Sequence, residues 1–253
     1  MIPILFKIGP LTINSFGVMA MLAFLIPTLI LRKEVTRYGF DPDLANGIAI
    51  AAMIGGFFGA RLYFLAERWH NVIAHPSAYL FSGAGLVWYG GLFGGAAAVI
   101  WYLHRRQVSI PLITDIAAPL LALGQVFGRA GCFLSADGDY GPPTDVPWAM
   151  SFPHGLVPTD KLVHPTPLYD MLILFIIFLV LWRLRQRELP TGMKFSFYLI
   201  FLGIGRIITE FWRNTAKILW GLTAAQMISI ALIVLAVIIL FNVRRTHLHQ
   251  ESI

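Results

Sequence analysis

The sequence predicts an all-α, polytopic integral membrane protein with about seven transmembrane helices. Of its 253 residues, 57% are hydrophobic and only 13% are charged, and the mean hydropathy is +0.72. Soluble globular domains carry a charged fraction of about one quarter. A spanning helix needs about 20 mostly apolar residues, so seven spans fill most of a chain of this length. We therefore expect a single transmembrane domain over residues 1–253, with no sizeable soluble domain.

Seven apolar runs follow one another along the chain. They lie near residues 14–31, 46–66, 86–102, 110–127, 165–184, 195–212 and 222–243. Tryptophan and tyrosine residues stand at or near several run ends, which is typical of rings at the depth of lipid headgroups. The residues before the first run lack a basic segment and a cleavage site of small residues, so we expect no removable signal peptide.

The placement of basic residues predicts the orientation of the chain. Most of the 19 Lys and Arg residues fall at the run ends that face one side, among them Arg32, Arg105, Arg183 and Arg244. Cytoplasmic loops carry the excess of Lys and Arg, so this side is expected to be cytoplasmic. The N-terminus is then periplasmic and the C-terminus cytoplasmic. The net charge of +6 is explained by these positions, and no nucleic-acid partner is expected.

Small residues recur four positions apart in the second and third runs, as Gly55 with Gly59 and Gly90 with Gly94. This spacing allows transmembrane helices to pack with their backbones close together. We therefore expect these two helices to be packing partners.

The longest segment between runs, residues 129–164, is expected to be a functional loop on the outer side, because it is rich in turn-forming residues. Asp137 and Asp139 favour a turn over a metal site, since two carboxylates alone make a poor calcium or magnesium site. The single cysteine, Cys132, excludes an intramolecular disulfide and has no activating base beside it in sequence. Asp115 is expected to cap the start of the fourth span.

Three arginines lie inside or at the end of predicted spans: Arg61, Arg129 and Arg206. A charged residue in the hydrocarbon is costly and is by default a candidate functional residue. With the predicted orientation, all three fall toward the outer leaflet. A transporter or channel needs polar residues through both leaflets, so their position on one side disfavours that class.

The sixth run carries a polar helical face, because Gly203, Arg206, Glu210 and Arg213 are spaced by three, four and three residues. One interpretation is an internal ion pair between Arg206 and Glu210, with Arg213 extending to the interface. The other is a binding site for an anionic phospholipid headgroup, since arginine donors match phosphate geometry. Arg129 at the same depth favours the second interpretation.

The fifth run begins with two prolines, after His164, as expected for a first helical turn whose positive dipole end faces the outer side. His164 could be a general base, a hydrogen-bond donor to phosphate, or a loop residue bonded to backbone. Asp170 is expected to orient an arginine or a histidine. Tyr169 fits an interfacial position.

Segment 128–134, GRAGCFL, resembles the signature of bacterial phosphatidylglycerol:prolipoprotein diacylglyceryl transferases. Further blocks resemble that family in its order over nearly the whole chain: INSFG at 13–17, GARLY at 59–63, WYGGL at 88–92, DIAAP at 115–119, HPTPLYD at 164–170, GRIITEFWR at 205–213 and LTAAQ at 222–226. The ordered set is more specific than any single block.

The resemblance implies a multi-pass enzyme of the bacterial inner membrane. Members transfer the diacylglyceryl group of phosphatidylglycerol to the lipobox cysteine thiol of a prolipoprotein, and we expect no cofactor and no metal. By this resemblance Arg129 holds the phosphatidylglycerol headgroup and Arg206 is the second essential arginine. Our catalytic candidates are Arg129, Arg206, His164 and Glu210. Our substrate-binding candidates are Arg129, Arg206, Arg61, Tyr89, Asp170 and Asp137.

Three positions depart from the family pattern: Phe16 stands at a usual tyrosine, Tyr89 at a frequent histidine and Cys132 at a frequent asparagine. Tyr89 cannot take a proton near neutral pH as histidine does, which leaves His164, a carboxylate or an arginine-stabilised thiolate to explain thiol activation. A second hypothesis therefore stays open: a catalytically altered paralogue that binds anionic phospholipid or assists a partner protein.

Overall fold

The structure is a computed structural model, and it describes residues 2–9, 11–74, 77, 79 and 87–251. Helices account for most of these residues: α1 (Ser15–Arg37), α2 (Asp43–Glu67), α3 (Trp69–Ala74), α4 (Trp88–Arg105), α5 (Ile110–Ser135), α6 (Thr166–Leu184), α7 (Met193–Glu210) and α8 (Ala224–Glu251). Short strands pair in antiparallel twos: β1 (Ile4–Ile8) with β2 (Leu11–Asn14), β3 (Met150–Phe152) with β4 (Thr159–Val163), and β5 (Lys217–Leu219) with β6 (Leu222–Thr223).

Each of the seven apolar runs contains a long helix among the described residues. Five are long and apolar enough to cross a membrane: α1, α2, α5, α6 and the part of α8 over Ala224–Arg245. The remaining two, α4 and α7, have 18 residues each. Glycines lower the hydropathy of α4, and α7 carries three charged side chains. The mainly helical membrane fold is confirmed. The count of seven spans and the orientation stay predictions.

The chain divides into two compact units. One comprises Met1–Ile30 with Thr114–Ile253, and the other comprises Leu31–Ile113. Helices α1 and α5 each pass from one unit into the other. The expectation of a single transmembrane domain over 1–253 stays a prediction.

In the unit Leu31–Ile113, α2 and α4 pack through their glycines, as the sequence predicted. A Cβ atom on Gly59 would lie 2.3 Å from the carbonyl oxygen of Gly90, and one on Gly94 would lie 2.3 Å from that of Gly55. These distances are too short for any side chain. The four glycines therefore let the two backbones touch.

In the other unit, α5, α6, α7 and α8 share a buried apolar core. Its members are Ala118 and Ala122 of α5, Ile177 and Leu181 of α6, Tyr198 and Leu199 of α7, and Ala236 of α8. Gly203 brings α7 against α8, because a Cβ atom there would lie 2.7 Å from Ile233 Cγ1. This packing fixes the faces of α5, α6 and α7 that carry the polar residues described below.

The expectation that Asp115 caps its own helix is wrong. Its carboxylate accepts hydrogen bonds from the backbone amides of Gly192 and Phe195, each at 2.7 Å, at the start of α7. The first amides of a helix lack intrahelical partners, and a carboxylate both accepts their hydrogen bonds and complements the helix dipole. Asp115 therefore ties the start of α7 to α5 and so helps to place the polar residues at the far end of α7.

Replacing Asp115 with alanine should destabilise the fold by about 1–2 kcal/mol, the usual cost of losing a helix cap, and more where the amides stay buried without a partner. Thermal unfolding in detergent micelles measures this loss. Asp41→Ala is the matched control, because Asp41 accepts a hydrogen bond from Asp43 in an exposed setting. Equal melting temperatures for Asp115→Ala and the wild type would contradict the capping role.

Helix α5 extends past the predicted end of its apolar run and continues to Ser135. Arg129 and Cys132 therefore lie in its last turns, since residues 128–135 contain no helix-breaking proline. The following segment folds back on itself in the hairpin of β3 and β4, where Phe152 and Val163 are buried together with Ala136. The ring of Tyr140 stacks on Phe152 with centroids 5.1 Å apart.

Candidate functional site

Three arginines and three carboxylates converge in the unit Met1–Ile30 with Thr114–Ile253. We call this set the arginine cluster, and its members are Arg129 of α5, Asp139 of the following loop, Asp170 of α6, Arg206 and Glu210 of α7, and Arg213 just beyond α7. Four separate chain segments thus supply its charges. The sequence predicted the convergence of Arg129 and Arg206, and the structure places both in this cluster.

Asp170 lies at the centre of the arginine cluster. Its Oδ2 atom is 2.9 Å from Arg213 Nη2, 3.2 Å from Arg129 Nε and 3.4 Å from Arg206 Nη1. The side chain is only 6% exposed. The prediction that Asp170 orients an arginine is confirmed, because one carboxylate contacts all three guanidinium groups.

Asp139 joins two of the arginines from the loop side. It forms an ion pair with Arg129, and Arg213 donates to both of its oxygens, with Nη2 to Oδ2 at 2.6 Å. Burial, the largest influence, lowers the pKa of Arg213, but hydrogen bonding and charge from Asp139 and Asp170 outweigh it, so the pKa is raised. The interpretation in which Arg213 extends to the interface is wrong: its side chain is 9% exposed and held by carboxylates.

The predicted ion pair between Arg206 and Glu210 is confirmed, with Nη2 and Oε2 3.3 Å apart. Glu210 has no exposed side-chain surface, and neither of its oxygens has a hydrogen-bond partner among the described residues. Arg206 and Arg129 keep exposed fractions of 24% and 27%. These two arginines are more exposed than Arg213, whose side chain is 9% exposed, and are therefore more accessible to a ligand.

A small pocket, with a cavity volume of about 40 Å³, opens between α5, α6 and α7 beside the cluster. Its polar residues are Gln125, Arg129, Asp170 and Arg206, and its remaining residues are Ile173, Leu174, Ile177, Leu202 and Gly205. A Cβ atom on Gly205 would lie 2.6 Å from Ile173 Cγ2, so this glycine keeps α7 close to α6. A pocket with a guanidinium end and an aliphatic wall suits an amphipathic anion.

His164 is part of a hydrogen-bonded series of aromatic side chains. Its Nδ1 atom is 3.0 Å from the hydroxyl oxygen of Tyr169, and Trp148 Nε1 donates to the same oxygen at 2.7 Å. The Tyr169 ring also contacts the Trp212 ring edge-on, with centroids 5.9 Å apart. Several roles of His164 were compatible with the sequence, which did not predict these partners.

The loop that carries Asp139 is held by contacts within the loop and with residues of later segments. The carboxylate of Asp137 accepts a hydrogen bond from the Asp139 amide at 3.2 Å, and Thr166 Oγ1 donates to the Asp139 carbonyl at 2.6 Å. A Cβ atom on Gly141 would lie 2.0 Å from the Trp212 carbonyl oxygen. The turn predicted at Asp137 is confirmed, and no metal-binding group of three or more His, Cys, Asp or Glu residues occurs in the described ranges.

Two further candidates, Arg61 and Tyr89, belong to the unit Leu31–Ile113. Arg61 on α2 donates a hydrogen bond to the backbone carbonyl of Tyr79, and its guanidinium lies 5.3 Å from the centre of the Phe64 ring. Tyr89 lies in the first turn of α4 and is partly buried. Their predicted roles in substrate binding stay predictions.

Comparison with known proteins identifies the family. Residues 3–242 match the family model described as prolipoprotein diacylglyceryl transferase. A phosphatidylglycerol–prolipoprotein diacylglyceryl transferase of Clostridium tetani is 34% identical, covering 96% of this chain and 98% of the relative. Proteins of the same name from Synechococcus elongatus and Streptococcus equi subsp. zooepidemicus are 34% and 31% identical, each over 96% of this chain and over 89% and 95% of their own lengths. The chain belongs to the prolipoprotein diacylglyceryl transferase family.

Proposed function

We propose that this protein transfers the diacylglyceryl group of phosphatidylglycerol to the lipobox cysteine thiol of a prolipoprotein. The names of its relatives and the family match support this activity. The observation that carries it is the placement of Arg129 and Arg206 at one end of a pocket whose wall is aliphatic. A phospholipid has the same division, with an anionic phosphate beside acyl chains.

In this reaction the bond between the diacylglyceryl carbon and a phosphate oxygen breaks, and a carbon–sulfur bond forms. The thiol gives up its proton, which ends on the released phosphate or in water, and glycerol phosphate leaves with the electron pair of the broken bond on its oxygen. Arg129 and Arg206 bind the phosphate and stabilise the charge that develops there, since fixed donors in a water-poor site stabilise a transition state strongly. Asp170 holds both guanidinium groups in place through the contacts at 3.2 and 3.4 Å.

The remaining candidates have supporting roles in the proposal. Glu210 and His164 are candidates for proton transfer or hydrogen bonding at the reacting groups. Asp137 shapes the loop on which Asp139 approaches the arginines. Arg61 and Tyr89 are proposed contacts of phospholipid or signal peptide. The reaction needs no cofactor or metal in this scheme.

We further propose that the chain crosses the bacterial inner membrane seven times, with a periplasmic N-terminus and a cytoplasmic C-terminus. The arginine cluster then faces the periplasmic leaflet, where phosphatidylglycerol and the lipobox cysteine of a translocated prolipoprotein can meet. The distribution of Lys and Arg along the sequence supports this orientation.

The function is tested by the separate variants Arg129→Ala and Arg206→Ala. We expect each to lose about a hundredfold or more of transfer rate, because removing one donor to a developing oxyanion costs about 10²–10³. The assay follows labelled diacylglyceryl from phosphatidylglycerol to a lipobox peptide. Arg37→Ala is the matched control, since the Arg37 side chain is 52% exposed and pairs with Glu34 rather than with a member of the arginine cluster. Full rates in both folded cluster variants would refute the mechanism.

The paralogue hypothesis rests on three departures from the family pattern, which are Phe16, Tyr89 and Cys132. Complementation separates the two hypotheses. A gene that fails to replace an essential transferase in cells, while its purified product binds phosphatidylglycerol, would favour binding without transfer.

A further inference from the structure

The hydroxyl group of Tyr169 connects His164 to Trp148. The indole N–H of Trp148 is a donor only, and it lies 2.7 Å from the Tyr169 oxygen. That oxygen therefore accepts a hydrogen bond from the indole. Its own proton remains available for a second hydrogen bond.

The imidazole of His164 offers the acceptor for that proton. Its Nδ1 atom is 3.0 Å from the Tyr169 oxygen, and within the described ranges the hydroxyl has no hydrogen-bond partner besides His164 and Trp148. If Nδ1 carried a proton, the tyrosine oxygen would accept two hydrogen bonds and its own proton would have no protein acceptor. If Nδ1 carries the lone pair, the phenol donates one hydrogen bond and accepts one. In the second arrangement the indole N–H, the phenol hydroxyl and the Nδ1 atom each have a hydrogen-bond partner.

We propose that Tyr169 and Trp148 are positioning residues that hold neutral His164 in the tautomer with its proton on Nε2. In the transfer reaction of the proposed function, on which this inference rests, His164 then acts as a hydrogen-bond donor to the anionic phosphate. It does not accept the thiol proton, because the Nε2 atom is already protonated and the Nδ1 lone pair is occupied.

The surrounding contacts fix the backbone at His164 and connect it to the loop that carries Asp139 of the arginine cluster. The backbone of His164 is held on both sides by the loop, since its amide donates to Pro142 at 3.2 Å and its carbonyl accepts from Gly141 at 2.9 Å. Two residues later, Thr166 donates to the carbonyl of Asp139 at 2.6 Å. The same loop thus positions His164 and one carboxylate of the cluster.

The tautomer is tested by nitrogen NMR of protein labelled with ¹⁵N-histidine in detergent micelles. Spectra are taken near pH 8, above the ordinary histidine pKa of about 6.5, and His164→Gln identifies the His164 signals. We expect an unprotonated Nδ1 and a protonated Nε2 in the wild type. In Tyr169→Phe this preference should fall toward a mixture, and in Trp148→Phe the fall should be smaller. A protonated Nδ1 in the wild type would overturn the proposal.

This spectroscopic test needs no turnover, so it fails or succeeds separately from the proposed transferase activity. The unchanged signals of the other histidines show that each variant is folded. Trp148→Phe is the matched comparison for Tyr169→Phe, because it removes the hydrogen bond to the phenol and leaves the one to His164.

The donor role is tested by two amide variants of His164. The amide of glutamine reaches the position of Nε2 and donates a hydrogen bond, whereas that of asparagine reaches only the position of Nδ1. We expect His164→Gln to lose less than about tenfold in kcat and His164→Asn to lose much more. A general base contributes about 10²–10⁴-fold, so a loss of that size in folded His164→Gln would overturn the donor role.

Discussion

Replacing Asp170 with asparagine is expected to remove transfer activity and several kcal/mol of folding stability together. Asparagine keeps the size of the side chain and removes its charge. Three guanidinium groups within 3.4 Å would then lose their shared counter-ion in a place where the side chain is 6% exposed. Breaking a buried ion pair by removing one partner costs about 3–5 kcal/mol.

The same change should disorder the donors that bind phosphate. Arg129 and Arg206 each contact Asp170, so without its charge they repel one another and turn toward other partners. A misplacement of about 1 Å in a catalytic group can reduce a rate about a hundredfold. Activity should therefore fall further than the loss of folded protein explains.

Thermal unfolding and the transfer assay, both in the same detergent, measure the two effects of Asp170→Asn. Asp160→Asn is the matched control, because Asp160 is an exposed residue of strand β4 in the preceding loop. A lower melting temperature with full activity in the folded fraction would assign Asp170 a structural role only. Unchanged values of both quantities would contradict its central place in the cluster.

Local spacing explains why parts of the arginine cluster could be predicted from the sequence. Arg206 and Glu210 are four residues apart on one helix, and helix geometry alone places such side chains together. Arg129 and Arg206 stood out because Arg129 lies at the end of an apolar run and Arg206 lies inside one, where a charge is costly. Both inferences need only the periodicity of a single element and its expected depth.

The partners of Asp139 and Asp115 could not be predicted in this way. Asp139 meets Arg213, 74 residues further along the chain, and no sequence period relates a loop residue to a helix end so distant. Asp115 was assigned to the nearest helix start, yet it caps α7, 77 residues away from it at Gly192. The sequence did contain one usable signal, since buried arginines require carboxylates and the loop after Arg129 contains four, Asp137, Asp139, Asp145 and Asp160.

The hydrogen bonds of Tyr169 illustrate the same limit. An aromatic residue near a span end fits the interfacial belt, and this pattern explained Tyr169 without any partner. Its contacts with Trp148 and His164 depend on the path of the loop between α5 and α6. Tertiary folding, rather than local pattern, therefore decided whether the histidine had a defined tautomer.

The charge balance of the arginine cluster leads to a prediction about Asp139. Three guanidinium groups face three carboxylates, so the cluster carries no net formal charge before substrate binds. A phosphodiester brings one more negative charge, and it must compete with a resident carboxylate for arginine donors. Asp139 is the most exposed of the three, at 21% against 6% for Asp170 and 0% for Glu210. It is the carboxylate that a phosphate displaces most easily.

Asp139→Asn should therefore bind glycerol phosphate more tightly than the wild type, by about tenfold, which corresponds to about 1.4 kcal/mol. The backbone at this position keeps its anchor from Thr166, so the loop should retain its path while its negative charge is gone. Calorimetric titration of the purified protein with glycerol phosphate measures the affinity. Asp139→Glu keeps the charge and should show no gain, and Asp160→Asn controls for a change in net charge remote from the arginines.

A lower affinity of Asp139→Asn for glycerol phosphate would have a defined physical meaning. If the carboxylate of Asp139 serves mainly to hold Arg129 and Arg213 in position, its removal frees both guanidinium groups and lowers affinity for phosphate. The expected gain depends on the other contacts of these arginines, since Asp170 lies 3.2 Å from Arg129 and 2.9 Å from Arg213. Because that buried carboxylate remains in Asp139→Asn, both arginines keep a fixed partner and present their remaining donors to the phosphate.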